Sequence, residues 1–280
     1  SSSGPVVDHF RLSFSTPRFS CEPIPVVIRA CADATCSSTV AVNRALTLTP
    51  AERWLGNGTV TFVGTDTATA YLKRIPGTLR LGLAGETARC DNGDCELEIL
   101  RSGFVLGIPE VIAGAETRVD IQAMRLVEGS EACVADRSFA DGDKPRELTF
   151  WSRYGLPTSG TRVVRINNQA IGGAEGAATS VSLRFDQQAR SSITLRYDDA
   201  GALRLHARFV GSGEEEGLDM QGSARFVARP AGFCIRADAA GCEGPECPLF
   251  TPNDRVVRAG DAFDLLITPV AHAEGQALCS

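Results

Sequence analysis

The residues best suited to chemistry in this chain are its ten cysteines. Six fall into three Cys-x4-Cys pairs: Cys31 with Cys36, Cys90 with Cys95, and Cys242 with Cys247. Two chemistries fit such a pair. A four-residue gap lies within zinc-ligand spacing. It also suits a disulfide across a tight turn. In Cys90-Asp91-Asn92-Gly93-Asp94-Cys95, Asn92-Gly93 is the favoured centre of a two-residue type I′ turn. That register makes Cys90 and Cys95 a non-hydrogen-bonded pair with Cα atoms about 4.5 Å apart, inside the disulfide range. Each pair sits in an acidic turn, with no second pair or histidine nearby in sequence. Disulfides are therefore the expectation. Cys21, Cys133, Cys234 and Cys279 remain, and four cysteines allow three connectivities. The sequence does not choose between them; our reading leans to Cys21–Cys133 and Cys234–Cys279. An even count with stapled turns implies an oxidising compartment: periplasm, outer surface or medium.

Other chemistry is sparse. There is no Gly-x-Ser-x-Gly, no His-Glu-x-x-His and no phosphate-cradling Gly-rich loop. The three histidines, His9, His206 and His272, read as solvated surface groups at or near strands. An enzyme is not expected. Acidic turns offer a second chemistry: Asp91 and Asp94, Asp141 and Asp143, Asp198-Asp199, and Glu214-Glu215-Glu216. Calcium takes several oxygen ligands on flexible loops, and it is the one ion expected as a candidate; no other cofactor is called for. Asp and Asn also belong in turns for backbone reasons alone. In Phe150-Trp151-Ser152-Arg153-Tyr154, the side chains of Trp151, Arg153 and Tyr154 bring aromatic and cationic groups together, a composition suited to stacking on sugar rings. The competing reading buries Trp151 in a sandwich core. Trp54 has the same two readings.

The elements that must carry these residues are strands. Period-two alternation runs through Thr59 to Phe62, Val181 to Phe185, Ile193 to Tyr197 and Leu203 to Phe209, with turn residues between. A strand–loop–strand unit recurs three times. It opens at His9-Phe10-Arg11-Leu12, at Gly103-Phe104-Val105-Leu106 and at Gly232-Phe233-Cys234-Ile235. Gly77-Thr78-Leu79-Arg80-Leu81 recurs as Gly201-Ala202-Leu203-Arg204-Leu205, which reads as a closing hairpin in each of two domains. The expected fold class is all-β: tandem immunoglobulin-like β-sandwich domains with disulfide-stapled hairpins. The expected domains are 1–85, a larger sandwich with long loops at 86–221, and the opening strands of a third at 222–280. A formal net charge of −6 with scattered arginines argues against a nucleic-acid surface. No apolar run reaches the roughly 18 residues of a membrane helix. The start at Ser1-Ser2-Ser3-Gly4 fits either a mature product or a fragment.

These residues carry a family resemblance. Asp8-His9-Phe10, Cys21-Glu22-Pro23 and the run Val27-Ile28-Arg29-Ala30-Cys31-Ala32-Asp33-Ala34-Thr35-Cys36 are similar to the MshQ-like proteins of mannose-sensitive haemagglutinin (type IV) pilus loci. The likeness continues through Leu46 to Pro50, Ser102-Gly103-Phe104, Tyr197 to Gly201 and Arg225 to Pro230. It implies a large Gram-negative surface or pilus-associated protein, secreted or at the cell surface, with no catalytic residues to carry over. The expectation is a structural, adhesin-like protein. Its partners would be other pilus or surface proteins and host or environmental glycans. Two alternatives stand beside it: a carbohydrate-binding adhesin module, and a filament subunit joined by strand exchange. In the second, Val6 to Phe14 would serve as donor instead of as the first strand of its own domain. A glycan-acting hydrolase is the remotest reading.

Overall fold

Strand after strand forms where side chains alternate between apolar and polar, because that period puts all apolar groups on one face. The computed structural model describes residues 6–140, 144–238 and 264–273. Ten strands lie within residues 9–100: β1 (His9–Ser13), β2 (Arg18–Phe19), β3 (Ile24–Cys31), β4 (Val42–Thr49), β5 (Thr59–Thr65), β6 (Thr67–Leu72), β7 (Gly77–Arg80), β8 (Gly82–Leu83), β9 (Ala88–Cys90) and β10 (Glu96–Leu100). One layer runs β6-β3-β1-β9; facing it are β5-β4-β8 and β2-β10-β7. Phe10, Leu12, Val26, Ile28, Leu48, Phe62 and Trp54 meet between the layers. Burying each such side chain stabilises by about 1.5–3 kcal/mol. Leu97 and Ile99 belong to the same core, which therefore reaches past residue 85, where the domain edge was expected.

A second set follows: β11 (Ser102–Gly107), β12 (Val111–Ile112), β13 (Thr117–Leu126), β14 (Cys133–Ala135), β15 (Arg146–Leu156), β16 (Arg165–Ile166), β17 (Gln169–Ala170), β18 (Thr179–Leu183), β19 (Arg190–Arg196), β20 (Gly201–Val210) and β21 (Asp219–Arg229). The strands follow one another in the order β17-β16-β19-β13-β11-β21-β20-β15-β18. The sheet folds over at the β11–β21 step, where a single parallel pair, Gly103 with Gln221, joins the two halves. Phe104, Phe139, Phe150, Phe185, Phe209 and Tyr197 fill the space between them. Phe226 and Ala228 extend this core beyond residue 221. The last strands, β22 (Gly232–Asp238) and β23 (Asp264–Val270), pair with each other.

All three expected strand–loop–strand units are antiparallel pairs: β1 with β3, β11 with β13, and β22 with β23. The two Gly-x-Leu-Arg-Leu copies behave differently. β6 pairs with β3 whereas β7 pairs with β10; β19 pairs with β13 whereas β20 pairs with β15 and β21. The repeat thus marks a crossing of the chain to a new neighbour, not a hairpin. β1 lies between β3 and β9, so the stretch weighed as an exchange donor is an interior strand of its own sheet.

The turn chemistry also departs from expectation. Gly93 and Cys95 take positive φ, and Asn92 does not, so no type I′ turn forms there. The Asn92 side chain accepts from the Cys95 amide at 3.2 Å and donates to the Glu96 carbonyl at 2.7 Å. That bracing turns β10 away from β9 and into the opposite layer. The two-residue turn with positive φ at both positions is Asn167-Asn168, which joins β16 to β17.

Candidate ligand cleft between the two sandwiches

Three disulfides are formed among the described residues. Cys31–Cys36 and Cys90–Cys95 each span five residues and close turns at the edge of the first core. Cys21–Cys133 is of another kind: it spans 112 residues and ties the segment after β2 to β14 of the second sandwich. Cys242, Cys247 and Cys279 lie outside the described residues.

That long disulfide sits beside a direct contact between the sandwiches. β2 runs parallel to β10, with Phe19 opposite Leu100. The Phe19 ring lies over Gly103, where an added Cβ would be 2.7 Å from the ring and 2.5 Å from the Gln221 carbonyl oxygen. Only a glycine lets β2 and β21 come so close to β11. Ser20 donates to the Arg101 carbonyl at 3.3 Å, and Arg74 donates to the Glu131 carbonyl across the same junction.

Next to this contact is a cleft of about 550 Å³. Arg18, in β2, and Glu22, next to Cys21, reach it from the first sandwich. Trp151, Arg153 and Tyr154 reach it from β15, and Arg204, His206 and Arg225 from β20 and β21. The strand register explains the grouping. Trp151 is directly opposite His206 and Arg153 opposite Arg204, while Arg204 is opposite Arg225 on the next strand. Trp151, Arg153, Arg204, His206 and Arg225 share the outer face of the sheet, away from the core that takes Phe150 and Leu205 and against which Tyr154 packs.

Burial has changed the chemistry of this face. Trp151 is only 4% exposed, yet it is not part of either core. Its ring stacks flat on His206, with centroids 4.9 Å apart and planes 5° from parallel. Burial first, and then the cations of Arg153 and Arg204, push the His206 imidazole down to about 4. It is therefore neutral at pH 7. Burial also raises the Glu22 carboxyl above its usual range, against the pull of Arg18 and Arg204. Arg18 donates to the Ser15 hydroxyl and to the Pro23 carbonyl, but its Nε, the Trp151 Nε1 and the His206 Nε2 have no partner among the described residues. Glu175 also lines the cleft, and its carboxylate is paired with Arg208.

Several expected sites fall elsewhere. Asp91 pairs with Arg11 at 2.6 Å, and Asp94 accepts from the Glu96 amide at 2.9 Å, so both carboxylates serve their turn. Asp141 and Asp143 lie outside the described residues. His9 is not a surface group: it is 3% exposed and its Nδ1 is hydrogen-bonded to the Asp8 carboxylate at 2.8 Å, because β1 is flanked on both sides by strands. His206, expected in solvent, is half-buried by the first sandwich. His272 is exposed. Trp54 is fully enclosed in the first core. Arg18 and Glu22 were not expected in a site at all. The signal for them was Cys21: its bond to Cys133 carries its neighbours to the second sandwich.

The class of protein is set by this architecture: all-β, with disulfide-stapled, immunoglobulin-like sandwiches in tandem. Residues 87–223 match a domain of unknown function (DUF6701), first Ig-like domain. Residues 7–89 match a second domain of unknown function (DUF8613). No curated protein sequence matches the chain. Among solved structures it is similar to the D0-D1 domain of intimin, at 13% identity over 79% of this chain and 98% of that one, with a TM-score of 0.28. It is similar to the Yersinia pseudotuberculosis adhesin InvE, at 12% identity over 79% of this chain and 58% of that one, also at 0.28. A β-glycosidase from Bacteroides vulgatus aligns as well, at 13% identity over 79% of this chain and 25% of that one, with a TM-score of 0.26. Adhesin segments and an enzyme thus stand side by side, and likenesses of this size do not separate one function from another.

Proposed function

We propose that this chain is a rigid segment of an extracellular, pilus- or cell-surface-associated bacterial protein, which holds adhesive surfaces at a distance from the cell. The observation that carries the reading is the Cys21–Cys133 bond. A disulfide within one sandwich stabilises that sandwich. A disulfide from one sandwich to the next also fixes their angle, and a fixed angle is useful to a protein that must transmit force or present a surface. The Phe19 contact on Gly103 serves the same end. Persistent disulfides belong to oxidising compartments. The likeness to MshQ-like proteins of pilus loci supports the surface location. No nucleophile motif supports catalysis.

The test is made on intact cells of the organism that encodes the chain. A membrane-impermeant biotin reagent is expected to label it, and no free thiol is expected at Cys21 or Cys133. Recovery only from the cytosolic fraction, with both cysteines reduced, would overturn the reading.

A further inference from the structure

The cleft between the sandwiches has three features that a plain junction does not need. First, its charge is lopsided. Arg18, Arg153, Arg204 and Arg225 converge on it, and of the two carboxylates lining it Glu175 is already paired with Arg208. Glu22 alone is left to offset four guanidinium groups, in a chain whose formal net charge is −6. Among the described residues Arg153 and Arg225 have no carboxylate within ion-pair distance, and Arg204 has only the Ser223 hydroxyl at 3.3 Å. Cross-strand neighbours of like charge, such as Arg153 with Arg204 and Arg204 with Arg225, oppose folding. A row of three is a cost that an anion bound across them would remove.

Second, the cleft is the size of a ligand site. Its volume of about 550 Å³ is within the roughly 300–1,000 Å³ that small-molecule sites occupy. Third, its polar lining is rich in groups able to donate. Besides the guanidinium groups these include the Gln221 amide and the hydroxyls of Ser15, Thr16 and Ser223. The buried Trp151 indole N–H has no partner among the described residues. An unmade hydrogen bond at a buried donor costs about 1–3 kcal/mol. The fitting occupant is rich in oxygen acceptors and carries negative charge.

We propose that this cleft binds an anionic saccharide, whose carboxylate or sulfate groups bridge Arg153, Arg204 and Arg225. The ligand class rests on the extracellular reading above, where acidic glycans are the abundant polyanions of this size. The site is composite: Arg18 comes from the first sandwich and the other cations from the second. Its shape therefore depends on the Cys21–Cys133 bond, which adjoins Glu22.

The experiment uses the purified chain, so its outcome is independent of where the protein resides. Titration calorimetry is run with trigalacturonate, a sulfated trisaccharide, a neutral galactotriose and a tetraglutamate peptide. Binding of one or both acidic sugars is expected, at least tenfold tighter than the neutral sugar or the peptide, and weaker as salt rises. Which of the two binds tells carboxylate from sulfate. Arg153→Glu with Arg204→Glu should reduce that affinity at least tenfold, with the melting temperature held or raised. Cys21→Ser with Cys133→Ser should weaken it several-fold while each sandwich stays folded. No binding of either acidic sugar, equal binding of the neutral sugar or the peptide, or an affinity indifferent to the double arginine variant would each overturn the proposal. Surface labelling could still succeed in any of those cases, and would leave the proposed function standing without this site.

Discussion

The two sandwiches solve the same problem by different means. The first has the thinner supply of large apolar groups. Its layers are broken into short strands, and two turns at its edge are closed by Cys31–Cys36 and Cys90–Cys95. The second has no internal disulfide among the described residues. At its centre Phe139 meets Phe104, Phe185 and Phe209, with centroids 4.9–5.4 Å apart and each pair edge to face. Arg146, 4% exposed, lies 4.8 Å above the Phe139 ring and pairs with Glu215. Small cores bury too little surface to stand alone and are often stapled, whereas larger ones can rely on packing. The lesson is that the covalent staples follow the weaker core, and the one long staple joins the two.

The sharpest way to break that comparison is to open the long staple. In the loop-entropy account a bridge across about 110 residues stabilises by about 5 kcal/mol, and one across six residues by about 2 kcal/mol. Cys21→Ser with Cys133→Ser should therefore cost more than Cys90→Ser with Cys95→Ser. It should also split one denaturant transition into two, as the sandwiches unfold separately. A single transition with the same midpoint would mean that the bond couples nothing. Phe139→Ala comes next, at about 3–5 kcal/mol for emptying the centre of a packed aromatic cluster. Made in the Cys21→Ser, Cys133→Ser background, it should move only the transition of the second sandwich. If both move together, the cores are less independent than their separate packing implies.

Much of the fold was legible because alternation and repetition are local. The openings at Phe10, Phe104 and Phe233 each announced a strand, a loop and a second strand, and each pair formed. What local pattern does not encode is the partner of a strand after a turn. Asn92-Gly93 looked like a hairpin, yet the Asn92 side chain braces the turn into a layer crossing. The same gap hid the site. Trp151, Arg153 and Tyr154 stood out as a composition suited to a ligand, and all three line the cleft. His206 read as a solvated group because Arg204, His206 and Arg208 alternate outward. That reading failed because a segment almost 190 residues upstream, around Arg18 and Phe19, covers the face. Only the cysteine pairing carried that information.

A smaller effect tests the second core from its polar side. Glu215→Gln leaves the Arg146 guanidinium buried on Phe139 with the Ser138 carbonyl, at 3.0 Å, as its remaining partner among the described residues. Removing one member of a fully buried pair costs about 3–5 kcal/mol. Glu215 is partly open to solvent, so a loss nearer 2 kcal/mol is expected. Urea titration at unchanged m-value checks it. A neutral result would mean that water already serves Arg146.

The smallest expected effect separates the cleft from both cores. His206 has a folded pKa of about 4 against an ordinary value of 6.5, because of burial first and then Arg153 and Arg204. As pH falls through 6.5 the unfolded chain takes up a proton that the folded chain refuses until about pH 4. The unfolded state then binds more protons, so stability falls as pH drops across that window and is unaffected by this group above it. Glu22, across the cleft, has the opposite sign. Its raised pKa means that the folded state binds its proton first, which adds stability as pH falls toward the ordinary carboxylate range. His206→Gln should flatten the loss between pH 6.5 and 4.5, and Glu22→Gln should steepen it, while neither changes the melting temperature at pH 8 by more than a degree or two. Solvent reaches part of both groups and screens their neighbours, so each slope is modest. Identical pH profiles for the wild-type chain and both variants would mean that the cleft is open water in solution, and that the sandwiches do not hold the angle at which Arg18 and Glu22 meet His206.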